Sequence, residues 1–140
     1  LRDLCTINDV VLIIDDIAMC GGKTGKFFGY NKLANPDIVC LGKSFSGGYF
    51  PLSACLVSPN IHNLVKDMFF AHGFTYSFSL SGIYSTLKYI EILEKEQHLQ
   101  NFQSVLDRSI TVLEDLVNEG YIQGFKNNGL VFELTTKPTS

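Results

Sequence analysis

Five consecutive apolar residues, Val10-Val11-Leu12-Ile13-Ile14, run straight into two carboxylates, Asp15 and Asp16. An unbroken β-branched run bounded by polar residues reads as a strand over residues 10–14 covered on both faces. That pattern belongs to the mostly parallel sheets of α/β proteins, flanked by helices, and it sets the expected fold class. Ligands in such sheets sit at the carboxyl ends of the strands, which is where Asp15 falls. A second short apolar run, Ile38-Val39-Cys40-Leu41, ends in Gly42-Lys43-Ser44 and a Ser/Gly-rich turn reaching Gly47-Gly48-Tyr49. Lys43 therefore falls at a strand end as well.

A lysine at the end of a buried strand is costly unless its amine has a task. Taken alone, Lys43 could simply reach out to water, and Asp15-Asp16 could cap the next turn. Taken together they suggest more. A lysine that forms a Schiff base, paired with an aspartate facing a pyridinium nitrogen, is what pyridoxal 5'-phosphate chemistry requires. Thr75, in the loop of residues 71–77, has the ordinary reading of a hydroxyl bonding its own backbone.

The rest of the chain supplies elements around these residues. A helix is expected at residues 1–8 and a glycine-rich loop at 20–25. A third strand is expected at 52–57, and a short helix at 61–70 opened by Ser58-Pro59-Asn60. Residues 79–97 repeat Ile83, Leu87, Ile90 and Leu93 at helical spacing, and 100–118 place Phe102, Leu106, Ile110, Leu113 and Leu116 on one face. Gly120 marks the end of that helix. Residues 121–134 begin a smaller α+β unit with a strand at 130–134.

Several function classes are excluded. Gly42-Lys43-Ser44 and Gly22-Lys23-Thr24 look like the end of a phosphate-binding loop, but the glycine needed five positions earlier is Asp37 in one and Ile17 in the other. A net charge of −3 without a Lys/Arg run offers nucleic acid no basic face. No apolar stretch approaches the roughly 20 residues of a membrane span. His62, His72 and His98 lack metal-ligand spacing, and no metal is expected. Cys5, Cys20, Cys40 and Cys55 never form Cys-x-x-Cys and read as reduced, buried thiols of a cytoplasmic protein.

Six fragments stand in a recognisable order: Leu12-Ile13-Ile14-Asp15-Asp16-Ile17, Gly22-Lys23-Thr24-Gly25-Lys26-Phe27-Phe28, Pro36-Asp37-Ile38-Val39-Cys40-Leu41-Gly42-Lys43, Gly47-Gly48-Tyr49, Leu52-Ser53-Ala54 and His72-Gly73-Phe74-Thr75-Tyr76-Ser77. Together they closely resemble the class III (ω-amino acid) aminotransferases of fold type I. The resemblance implies residues 1–98 as part of the large pyridoxal-phosphate-binding domain, and residues 99–140 as a linking helix and the start of the small C-terminal domain. It implies Lys43 as the Schiff-base and catalytic residue, Asp15 as partner of the ring nitrogen and Ile17 as the apolar residue on one ring face. Thr75 would contact cofactor phosphate across a homodimer interface.

The resemblance also implies transamination between an amino donor and an oxo-acid. It does not separate diaminopelargonate, ω-amino acid:pyruvate, diaminobutyrate and ornithine types. Family members are much longer, so the chain is expected to be a fragment incomplete for catalysis. The rival is a non-catalytic remnant or binding protein that keeps the fold. The departures are local. Asp16 replaces the more usual Glu, and Lys23 replaces Arg. Phe78-Ser79-Leu80 replace the usual Gly, Asn or His, and Pro. Lys126-Asn127-Asn128-Gly129-Leu130 resembles a worn Arg-Gly-x-Gly-Leu.

Overall fold

The computed structural model describes residues 1–30, 34–73, 75–95 and 101–136. The elements run α1 (Arg2–Ile7), β1 (Ile13–Asp15), β2 (Ile38–Leu41), a 3-10 turn (Lys43–Ser46), β3 (Ala54–Val57), α2 (Pro59–Val65), α3 (Leu80–Lys95), α4 (Phe102–Asn118), β4 (Gly124–Asn128) and β5 (Val131–Thr135). Strands β1, β2 and β3 form one sheet in that order. β1 and β2 are parallel, with Ile13 opposite Ile38 and Asp15 opposite Cys40. β2 and β3 are antiparallel. A separate antiparallel hairpin joins β4 to β5.

The core gathers on β2 because β2 is the central strand. Val39 and Leu41 are buried with Cys20, and Phe28, Tyr30, Phe45 and Ala54 pack around them. β1 departs from expectation: Val10, Val11 and Ile13 are exposed. It lies at the edge of its sheet, and its exposed residues show that the described residues do not cover the apolar run on both faces. The strand is also shorter than residues 10–14, because Val10 N–H is spent on the Cys5 carbonyl at 2.8 Å, closing α1.

The helices follow the apolar pattern with one revision. Phe102, Leu106, Ile110, Leu113 and Leu116 are all half-buried along α4, as their spacing predicts. On α3, however, Leu87 and Tyr84 point to solvent, while the buried residues are Gly82 and Thr86. Phe50 and Leu52 crowd against Gly82, so the face turned to the core must carry small residues. Residues 96–100 lie outside the described residues, and with them the expected end of the first of these helices and the expected start of the second. α2 stops at Val65 rather than residue 70, with Ser58 Oγ accepting from Ile61 N–H at 3.4 Å as its cap.

The two halves of the chain touch. Leu130 N–H donates to the Lys23 carbonyl at 2.8 Å. Gly129, at φ +60, lies so close to Lys23 and Thr24 that a β-carbon there would collide with their backbone. A left-handed residue free of a side chain is what the hairpin turn needs at this contact. The worn glycine motif of residues 126–130 is thus the hairpin that docks on the glycine-rich loop.

Two local features generate tests. Arg2 and Asp37 form an ion pair at 2.7 Å that joins α1 to the start of β2, and the same Asp37 oxygen accepts Leu12 N–H at 2.8 Å. The Arg2 hydrogen bond, then the Leu12 N–H, hold the Asp37 carboxyl below its usual value. Its contribution is therefore complete above the ordinary carboxylate pKa and is lost as pH falls through the lowered one. Asp37→Asn should flatten that acid limb in a urea-unfolding series. Phe78 sits at φ +61 and is 87% exposed. A left-handed backbone costs a non-glycine residue about 1–2 kcal/mol, part of which glycine's unfolded-state freedom offsets. Phe78→Gly should stabilise the chain by about 0.5–1 kcal/mol, read as a shift in denaturation midpoint.

Candidate functional site

Parallel pairing brings the ends of β1 and β2 to one edge. Asp15 lies opposite Cys40, and Asp16 N–H donates to the Cys40 carbonyl at 3.0 Å. Register partners on neighbouring strands stand about 4.8 Å apart, and Lys43 follows Cys40 by three residues. Asp15 and Lys43 therefore emerge from adjacent strands at the carboxyl edge of the sheet.

The two carboxylates have opposite environments. Asp15 is exposed, and its Oδ1 accepts the N–H of Ile17 at 3.0 Å, which fixes the first turn of the loop. Asp16 is 3% exposed. Its Oδ2 accepts Gly29 N–H at 2.9 Å, and its carbonyl accepts Met19 N–H and Cys20 N–H at 3.1 and 2.9 Å. Burial pushes the Asp16 carboxyl above its usual range, against the pull of the Gly29 hydrogen bond; the nearby Asp15 charge pushes the same way as burial. Asp16, whose role the sequence left open, ties the first turn of the β1–β2 connection to Gly29 farther along it.

Ile17 closes the loop over the lysine segment. Its Cγ2 lies 3.2 Å from the position a β-carbon would take on Gly42. From the buried side, Cys20 Sγ–H donates to the Gly42 carbonyl at 3.2 Å. Gly42 is extended, and the chain then turns sharply. Lys43 adopts φ +47 and is exposed. The expected cost of Lys43 is thus relocated: its amine is not buried, and the strain lies in its backbone. Such strain persists only where surrounding contacts over-determine it. Here Phe45 N–H donates to the Gly42 carbonyl at 2.9 Å. The fully buried Ser46 hydroxyl donates to the Phe50 carbonyl.

Tyr89 of α3 completes the support, and sequence reasoning missed it. Its ring packs on Gly47, 2.8 Å from where a β-carbon would stand, and Gly47 is left-handed at φ +67. Its hydroxyl donates to the Gly21 carbonyl at 2.7 Å. One side chain thus holds the turn after Lys43 and the glycine-rich loop together. A tyrosine within a helix of mixed apolar residues carries no sequence signal for this. An open cleft of about 700 Å³ lies alongside, bordered by Lys43, Gly22, Lys23, Gly47, Tyr89 and Phe102 among others. Lys23 Nζ donates to the Ala18 carbonyl at 2.7 Å, so its charge braces the loop.

Of the four residues expected in the site, three converge. Asp15, Ile17 and Lys43 are joined through the β1–β2 edge and the Ile17–Gly42 contact. Only Lys43 of these lines the cleft. Thr75 stands exposed on the turn of residues 75–78 and is not among the residues bordering the cleft. Among the described residues no group of three His, Cys, Asp or Glu side chains is placed to hold a metal ion. No helix among them is long and apolar enough to cross a membrane.

The family model described as aminotransferase class-III matches residues 1–140. The chain is 37% identical to an adenosylmethionine-8-amino-7-oxononanoate aminotransferase of Staphylococcus aureus, over 98% of this chain and 32% of that protein. It is 33% identical to a taurine–pyruvate aminotransferase of Bilophila wadsworthia, over 89% of this chain and 29% of that protein. The crystal structure of adenosylmethionine-8-amino-7-oxononanoate aminotransferase from Methanocaldococcus jannaschii superposes with a TM-score of 0.84 at 29% identity, covering 98% of this chain and 36% of that one. The chain spans about a third of the length of these relatives.

The Tyr89 clamp is directly testable. Tyr89→Phe keeps the ring on Gly47 but leaves the buried Gly21 carbonyl without its donor, a loss of about 1–2 kcal/mol in unfolding free energy. Burial, and secondarily Cys20, holds the Tyr89 hydroxyl above its ordinary pKa. Stability from this group should therefore decline as pH rises past the ordinary tyrosine value, and the Phe variant should lack that alkaline decline.

Proposed function

This chain belongs to the class III aminotransferase family, and from that premise we propose that it serves pyridoxal-phosphate-dependent amino transfer. The amino donor would be an ω-amino acid, a diamine or an amino acid, and the acceptor an oxo-acid. The observation that carries the reading is the β1–β2 edge, where an exposed lysine held in a left-handed backbone follows Asp15's register partner by three residues.

The residues present fit the cofactor's aldehyde and ring ends. Lys43 would hold the aldehyde through its amine. Asp15, whose Oδ1 is engaged by Ile17 N–H, would meet the protonated ring nitrogen with Oδ2. Ile17 would cover one ring face. When bound, pyridoxal phosphate supplies an electron sink for the pair left behind when a proton leaves the substrate carbon. Lys43 Nζ, released as the substrate amine takes its place, would carry that proton and return it at the other end of the transfer. In one half-reaction the donor leaves as an oxo compound; in the other the oxo-acid takes up the amino group.

We place residues 1–98 in the cofactor-binding domain and residues 99–140 in a linking helix and the start of the small domain. Thr75 would serve a second subunit. Its exposed turn, flanked by exposed Phe69, Phe70, Tyr76 and Phe78, supports a homodimer face, since contiguous apolar surface marks an interface. The unpaired cysteines support a cytoplasmic setting.

The test is reductive trapping. Purified chain is titrated with pyridoxal phosphate, its visible absorption followed, then reduced with borohydride and mapped by mass spectrometry. The expected result is cofactor covalently attached to the peptide containing Lys43, with attachment lost in Lys43→Ala. Equal labelling of Lys43→Ala, or labelling spread over surface lysines, would overturn the assignment and favour a non-catalytic role.

A further inference from the structure

Cys40 and Cys55 are directly opposite each other on β2 and β3. The backbone identifies the kind of pair. The Ile38 N–H and the Cys40 carbonyl both bond to the β1 side, at Leu12 O and Asp16 N, whereas the neighbouring Asp37 carbonyl accepts Ser58 N–H from the β3 side. Even-numbered β2 residues thus spend their hydrogen bonds on β1. Cys40 and Cys55 therefore occupy a non-hydrogen-bonded antiparallel position, where Cα atoms approach to about 4.5 Å and side chains lie closest. That separation lies at the short end of the span of about 4.4–6.8 Å that a disulfide bridges.

The surroundings divide the two thiols. Cys55 is exposed, and Cys40 beside it is half-buried. Burial first, then the adjacent Cys55 and Asp15 and a hydrogen bond to the Cys55 thiol, hold the Cys40 thiol above its usual pKa. Cys20, by contrast, is fully buried with its Sγ on the Gly42 carbonyl. Asp15 is the one titratable group facing the pair from β1 by register.

We propose that Cys40 and Cys55 form a dithiol modification site that reacts with a low-molecular-weight disulfide and closes into a Cys40–Cys55 bond. The Cys55 thiolate attacks one sulfur of the small disulfide; a mixed disulfide forms on Cys55 and one small thiolate leaves. The Cys40 thiolate then attacks the Cys55 sulfur, the protein disulfide forms and the second small thiolate leaves. The small disulfide is reduced to two thiols, which take up the two protons the cysteines give up. With Cys55 exposed, such a cross-strand bond is open to attack and is reopened by excess thiol. It would fasten β2 to β3 just before the Lys43 turn. This inference does not depend on the function proposed above.

The experiment incubates the native, reduced chain with glutathione disulfide at about 0.1 mM, blocks remaining thiols with an alkylating agent and maps the products. A held pair has an effective concentration of the order of millimolar or above, so the closed form should exceed the mixed disulfide by at least about tenfold. Two of the four thiols disappear, both from Cys40 and Cys55, and excess reduced glutathione restores them. Cys40→Ser should stop at glutathione on Cys55, and Cys55→Ser should react more slowly overall. Accumulation of the mixed disulfide in the unaltered chain would overturn the proposal. So would bonds drawn from Cys5 or Cys20, or closure seen only after urea unfolding.

Discussion

The hydrogen bond from Asp16 N–H to the Cys40 carbonyl is the contact on which the site depends. It ends the parallel pairing of β1 and β2 level with each other. It also leaves Asp16 facing inward, where its side chain and carbonyl take up three N–H groups of the loop that follows. That loop then places Ile17 above Gly42 and Cys20 below it. Without the level ending, Asp15 and Lys43 would not share an edge, and Gly42 would not be clamped from two sides.

The clamp explains how a strained lysine is tolerated. A left-handed backbone at Lys43 costs about 1–2 kcal/mol, comparable to one or two net hydrogen bonds. The 3-10 turn supplies its own bonds, Ser46 is buried under the Phe50 carbonyl, and Tyr89 presses on Gly47. Stability at this edge is drawn from packing around the lysine and leaves the amine itself at the surface. Asp16 makes the reverse arrangement: a carboxylate desolvated so that a loop can be held, with its ionisation made harder as a result.

Much of this was legible in order along the chain. The strand ends at Asp15 and Leu41, the Ser58 cap and the α4 face each follow from local patterns that tertiary contacts did not override. Other features were not legible. On α3 the helical spacing of Ile83, Leu87, Ile90 and Leu93 did not reveal that Leu87 is exposed while Gly82 packs against Phe50 and Leu52. The exposure of β1 was hidden because an apolar run reports what a strand prefers to bury, while coverage depends on neighbours outside the run. Tyr89 has no motif, and its role exists only because α3 crosses both Gly21 and Gly47. Asp16 looked like a shortened relative of a functional glutamate, and the fold shows it as a structural pin.

Local chemistry is carried by the sequence itself: which residues can form an amine linkage, which can face a cation, which segments become strands or helices, and the family the chain belongs to. These depend on side-chain type and short-range spacing, which one dimension records. The tertiary structure decided proximity and environment: the shared edge of Asp15 and Lys43, the burial of Asp16 beside an exposed Asp15, and the register that sets Cys40 against Cys55. Those depend on strand pairing and on the volume left by distant residues, and spacing along the chain contains neither.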